Sequence, residues 1–121
     1  MTDSKPETRK FRRVTFNAPV TLSTPDGTWT THVLDISLKG VLLERPSGYS
    51  GTIKEGDCHV ELPLDEQQSI RLSGRIVHRN SRYMGFEWTN IDSTSLSHLC
   101  RLLELNLGDS QTVDRELSAL I

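Results

Sequence analysis

Apolar residues occupy alternate positions over much of the chain. Val14, Phe16, Ala18, Val20 and Leu22 stand at every second position, the period of a half-buried strand. Pro25-Asp26-Gly27 comes next and predicts a turn, because proline presets φ and glycine tolerates positive φ. A second strand is expected around Trp29 to Ile36, a third from Gly40 to Glu44, and a glycine-containing loop from Pro46 to Gly56. Cys58, Val60, Leu62 and Leu64 alternate again. After the turn at 65–68, Ile70, Leu72 and Ile76 face one way and Arg71, Ser73, Arg75 and Arg79 the other. Asn80-Ser81-Arg82 turns into a last strand from Tyr83 to Trp88. About six strands with short links predict an antiparallel barrel or sandwich. The period then changes. Leu96, Leu99, Leu103 and Leu107 form one helical stripe, with Asp92 or Ser93 as N-cap and Gly108 as the stop. A shorter helix carries Val113, Leu117 and Leu120. Both are expected to cover the β-structure, since stripes at this spacing are usually core.

Three segments result: an N-terminal arm at 1–12, expected to be flexible, a β-domain at 13–89 and helices at 90–121. The 121 residues suit a single domain, and 35% apolar content is too high for wholesale disorder. No aliphatic run exceeds Val41-Leu42-Leu43, so no membrane insertion is expected. Met1 to Lys10 carries no apolar stretch of the kind a signal peptide needs. The two cysteines do not make a disulfide framework, and a cytoplasmic setting and a monomer are the expectation. Net charge is −2, which argues against a general DNA or RNA binder. Charge is unevenly placed. Residues 1–13 hold five cations against two carboxylates, and residues 92–121 two cations against five carboxylates. A basic arm on a mildly acidic domain suggests a compact anionic ligand.

No nucleophile elbow, HExxH, P-loop or GxGxxG is present. His32, His59, His78 and His98 have no ligand-like spacing, so neither a metal site nor catalysis is expected. The pairs Asp65/Glu66 and Asp114/Glu116 read as solvated charge in a turn and on a helix face. Two segments carry chemistry. Arg9-Lys10-Phe11-Arg12-Arg13 offers guanidinium forks that fit phosphate oxygens or the O6/N7 edge of guanine. A basic run by itself is more often a solubilising tail. Asp35-Ile36-Ser37-Leu38-Lys39-Gly40 joins the second and third strands. Asp35 and Ser37 are two apart and face one side of an extended strand, with Ile36 and Leu38 toward the core. A carboxylate there accepts from guanine N1–H or N2–H₂, at about 1.5–3 kcal/mol for a charge-assisted bond. Ser37 donates or accepts. Gly40 permits positive φ or close approach of backbone to a ligand. Alone, the hexapeptide is most simply a hairpin turn.

Together, in this order, the two segments resemble the signature of the PilZ family, bacterial receptors for cyclic di-GMP: RxxxR, here Arg9 to Arg13, some twenty-odd residues before DxSxxG, here Asp35, Ser37 and Gly40. The likeness extends over about residues 7 to 120 and takes in Val77-His78-Arg79, Gly85-Phe86-Glu87 and the tail at 102–108. It is greatest to the small stand-alone PilZ proteins of gammaproteobacteria. That resemblance implies a mainly β fold, a six-stranded antiparallel β-barrel with C-terminal α-helices packed on it and a flexible N-terminal arm. It implies cyclic di-GMP as the ligand, no cofactor and no enzymatic activity. Arg9 and Arg13 match the arginines that grip phosphates and guanines. Asp35, Ser37 and Gly40 match the guanine-reading pocket, Lys10 matches a position of phosphate contact, and Arg79 a barrel arginine under the ligand.

The chain departs from the pattern twice. Thr8 stands where relatives that bind a stacked pair of ligands often have arginine. Val77 stands where some have a tryptophan that stacks on a base, a contact of about 1–3 kcal/mol. Arg12 is a candidate to compensate by cation–π stacking. The mechanism so implied is a receptor whose arm orders over the ligand and remodels a surface read by a downstream protein. Ordering five arm residues costs about 5–10 kcal/mol, so several charge-assisted bonds are needed. The alternative is a ligand-independent adaptor acting through protein contacts alone.

Overall fold

The computed structural model describes residues 11–49 and 58–120. Six antiparallel strands run in the order β1 (Val14–Thr24), β2 (Gly27–Ile36), β3 (Gly40–Glu44), β4 (Cys58–Pro63), β5 (Ser69–Arg79) and β6 (Tyr83–Ile91). They close into a barrel with neighbours β1-β2-β3-β6-β5-β4, which leaves no unpaired sheet edge. The expected alternation holds where strands are regular: β4 reads buried-exposed without exception. Helices α1 (Ser93–Leu107) and α2 (Ser110–Leu120) complete the chain order.

Barrel and helices share one core. Leu22, Val33, Ile36, Leu43 and Ile70 are fully enclosed inside the barrel, and Leu99 and Leu103 of α1 are buried with them. Leu96 and Leu107 are only half-buried, while Leu102, outside the predicted stripe, is buried. α1 packs against β5, where the Arg71 backbone N–H donates to Ser95 Oγ at 3.0 Å. Asp92 is the N-cap of α1, and its carboxylate accepts from the Ser95 N–H. Gly108 ends the helix in the left-handed conformation at φ 69°. Asp109 caps α2 in the same manner, accepting from the N–H groups of Gln111 and Thr112.

The expected arm at 1–12 is described only from Phe11 onward. Phe11 is half-buried against the core. The Arg12 N–H donates to Glu116 Oε2 of α2 at 3.0 Å. Glu116 is buried at 8% exposure, so its reading as a solvated charge is corrected. The carboxylate faces inward to satisfy the backbone of the incoming chain. No helix among the described residues is long and apolar enough to cross a membrane.

Regularity breaks near one end of the barrel wall. Register shifts interrupt β1 between Thr15 and Ala18, β2 between Val33 and Asp35 and β5 between Ile76 and His78. Each inserts an extra residue and turns the strand beyond it. The β3–β6 and β5–β6 crossings are also tight. A Cβ on Gly40 would lie 2.0 Å from the Phe86 carbonyl oxygen, and one on Gly74 would lie 2.0 Å from that of Glu87. A Cβ on Gly85 would meet nothing closer than 3.5 Å. Gly40→Ala and Gly74→Ala are therefore expected to cost about 3 kcal/mol or more, since backbone must move, and Gly85→Ala less than about 1 kcal/mol. Urea denaturation of the three variants checks the ranking.

The caps make the helices acid-sensitive. Bonding to the Ser95 N–H holds Asp92 below its ordinary value of 3.8. Bonding to the Thr112 hydroxyl and N–H does the same for Asp109. A carboxylate lowered in the folded state stabilises above its unfolded pKa and loses that contribution as pH falls through the folded one. Helical circular dichroism is thus expected to fall below pH 3.8, and Asp92→Asn with Asp109→Asn to flatten the fall, because asparagine accepts the same bonds without titrating.

Candidate functional site

The interrupted strands frame an open groove of ≈ 400 Å³ on the outer wall, crossing β2, β3, β6 and β5. Arg13, Asp35, Ser37, Lys39 and Gly40 line one flank, and Val77, His78, Tyr83 and Glu87 the other. Asp35 reaches this face because of the β2 bulge. Val33, two residues before it, is fully buried, and strict alternation would put both on one side. The extra residue between them inverts the phase, so Asp35 points outward. There it pairs with Arg13, Nη1 to Oδ1 3.6 Å, with side chains 43% and 24% exposed. At that exposure the pair contributes only about 0.2–1 kcal/mol to folding. Its consequence is local: the cation and the carboxylate expected to hold a ligand neutralise each other.

Ser37 lines the groove, yet its hydroxyl is occupied. Ser37 Oγ accepts from the N–H groups of Lys39 and Gly40 at 3.2 and 3.3 Å and donates to the Gly40 carbonyl at 3.4 Å. The Ser37 N–H donates to the same carbonyl at 2.9 Å. A hydroxyl has one proton and two lone pairs, so its bonding capacity goes into closing the turn. Ser37 therefore positions Asp35 and Lys39. Gly40 does not serve the expected positive-φ role. The backbone approaching it is that of β6. The turn is clamped from beneath by Trp88. Its Nε1 donates to the Leu38 carbonyl at 2.8 Å, and Lys39 Nζ lies 5.8 Å from its ring centre, within cation–π range.

The β5 bulge governs the opposite flank. It leaves Val77 43% exposed and brings His78 onto the same outer face. Arg79 does not join them in lining the groove. Its charge reaches the phenol of buried Tyr49, where it opposes the rise that burial causes. Of the other expected site residues, Thr8, Arg9 and Lys10 lie outside the described residues. Arg12 is exposed and is not part of the groove lining. Sequence reasoning missed Lys39, His78, Tyr83 and Glu87 as wall residues. All four lie within or beside the segments that carry the chain's likeness, and their common face emerges from register alone. Among the described residues no three of His, Cys, Asp and Glu converge as metal ligands. The groove offers two cations, Arg13 and Lys39, beside two carboxylates, Asp35 and Glu87, an arrangement that binds anions bearing hydrogen-bond donors.

The structure is thus a small closed six-stranded β-barrel domain with a groove on its outer wall. The PilZ domain family matches residues 7–105, and the chain belongs to that family. Three solved structures share its fold. The PilZ domain of CeSA from a cellulose-synthesizing bacterium is 18% identical, with TM-score 0.60 over 80% of this chain and 96% of that one. The Bacillus subtilis inhibitor of motility MotI/DgrA is 18% identical, with TM-score 0.64 over 88% of this chain and 54% of that one. The PilZ domain of Escherichia coli YcgR, solved with c-di-GMP, is 16% identical, with TM-score 0.62 over 84% and 93%.

Proposed function

We propose that this protein is a receptor for cyclic di-GMP, acting by binding and not by catalysis. The observation that carries the reading is the Arg13–Asp35 pair at the mouth of the groove, in a member of the PilZ family. The YcgR domain of the same fold was solved with c-di-GMP. A guanine placed against Asp35 offers N1–H and N2–H₂ to the carboxylate, and the phosphates take Arg13. Arg9 and Lys10, just before it in sequence, add cations for the remaining phosphate oxygens. Each exchange of a water contact for a charge-assisted bond contributes about 1.5–3 kcal/mol. Ligand capture by Arg13 requires it to turn away from Asp35.

Arg13 directly succeeds the residue whose N–H is held by Glu116. A shift of Arg13 toward the ligand strains that bond and loosens α2, which exposes a helical surface to a downstream protein. Asp109 and Asp114 are exposed carboxylates of this helical region, so a partner with a basic surface fits it.

Isothermal titration calorimetry tests the reading. Cyclic di-GMP is expected to bind, with GTP and a short oligonucleotide at least about 100-fold weaker. Arg13→Ala and Asp35→Ala should each reduce affinity at least about 100-fold, which corresponds to the loss of one or two charge-assisted bonds, with the circular dichroism spectrum unchanged. Equal binding by both variants overturns it. Hydrogen exchange in the same titration should quicken over 110–120 on binding, and unchanged exchange there removes the coupling through Glu116.

A further inference from the structure

Trp88 stands outside the groove lining, yet it touches the corner that carries the site in three ways. Its Nε1–H donates to the Leu38 carbonyl at 2.8 Å. Its backbone N–H donates to the Lys39 carbonyl at 3.4 Å. Its ring centre lies 5.8 Å from Lys39 Nζ. The next carbonyl, that of Gly40, accepts from Ser37, so three successive carbonyls of the corner have fixed donors. The indole is also half-buried against the core. The ring cannot swing aside without giving up apolar burial.

Lys39 shares the groove with two carboxylates, Asp35 and Glu87. It pairs with neither. Among the described residues its ammonium has no ion-pair partner, and it meets the ring of Trp88 instead. The consequence differs from that of a salt bridge. A carboxylate neutralises its cation, as Asp35 does for Arg13. A ring face attracts the ammonium through its quadrupole and leaves the full charge in place. It leaves most of the three N–H donors open and narrows the rotamers of a flexible stem. Arg13 must leave a counter-ion to take an anion, whereas Lys39 has none to leave.

We propose that Trp88 is a positioning residue for ligand capture: its ring parks the Lys39 ammonium, charged and uncompensated, at the edge of the groove for a phosphate of the ligand. The assignment rests on the cyclic di-GMP reading. It adds a phosphate-binding cation from inside the corner and a residue that acts without touching the ligand. The contacts of the indole have separate tasks. The Nε1–H bond steadies the fold of the corner, and the ring face aims Lys39. Phenylalanine at this position keeps the second task and loses the first, and leucine loses both.

Calorimetric titration with cyclic di-GMP across a double-mutant cycle tests this. Lys39→Met should weaken binding at least about tenfold, the size of one charge-assisted bond. Trp88→Leu should weaken it at least about fivefold, because the ligand must then order a lysine that nothing holds. In the Lys39→Met background, Trp88→Leu should add less than about twofold, since no ammonium remains to aim. Trp88→Phe should lower the urea midpoint yet keep affinity within about twofold of the unaltered protein, because a ring face remains. Circular dichroism monitors folding, and Lys39→Met, on the half-exposed wall, keeps the proposal falsifiable should the leucine variant fold poorly. If Trp88→Leu weakens binding equally with and without the Lys39 ammonium, Trp88 is structural support only and the proposal fails. It fails too if Lys39→Met leaves affinity unchanged. In either case loss of binding in Arg13→Ala leaves the receptor reading standing. If the unaltered protein does not bind cyclic di-GMP, both fall.

Discussion

Closing six antiparallel strands into a small barrel forces the strands to bend, and the bends are taken up by unpaired residues. In this protein three of them fall in β1, β2 and β5, around a single patch of wall. Those in β2 and β5 reverse the in–out phase of the residues after them, while β1 keeps its alternation from Val14 to Leu22. That reversal makes the site. It points Asp35 outward although Val33 is core, and it gives the groove His78 in place of Arg79. Fold and site are not separate layers here: the geometry that closes the barrel also aims the side chains.

The glycines serve the same constraint. Gly40 and Gly74 stand on opposite sides of β6, each against one of its carbonyl oxygens. They let three strands draw together under the groove, and the Ser37 turn is then fixed by its own hydroxyl and by Trp88. Most of the signature at Asp35 to Gly40 thus builds a rigid corner. Asp35 and Lys39 are the residues that the corner leaves for chemistry.

Much of this was legible in the sequence. Strand number, turn positions, both helices and the cap at Asp92 can be read from periodicity and from residues with one dominant conformational use. Arg13 and Asp35 were legible as members of two motifs in order, but their ion pair with each other was not. The hidden features have a common cause. A bulge leaves no mark in composition, so alternation carried through Ile76 assigned Arg79 to the outer face. The same strictness concealed how Asp35 escapes the core. Glu116 was hidden differently. It lies on the apolar side of α2 with Val113, Leu117 and Leu120, but a carboxylate reads as solvated charge, and the backbone N–H that it meets is 104 positions away.

The Arg13–Asp35 contact gives the groove an internal rival. Any anion that takes the guanidinium must displace a tethered carboxylate whose effective concentration never falls. Net affinity is then a difference between two competing pairings. The threshold at which the groove fills can be retuned by strengthening or weakening the resident pair, with every contact to the incoming molecule left as it was. The ease with which a single arginine leaves its own counter-ion is thus a setting distinct from the fit of the groove to what enters it.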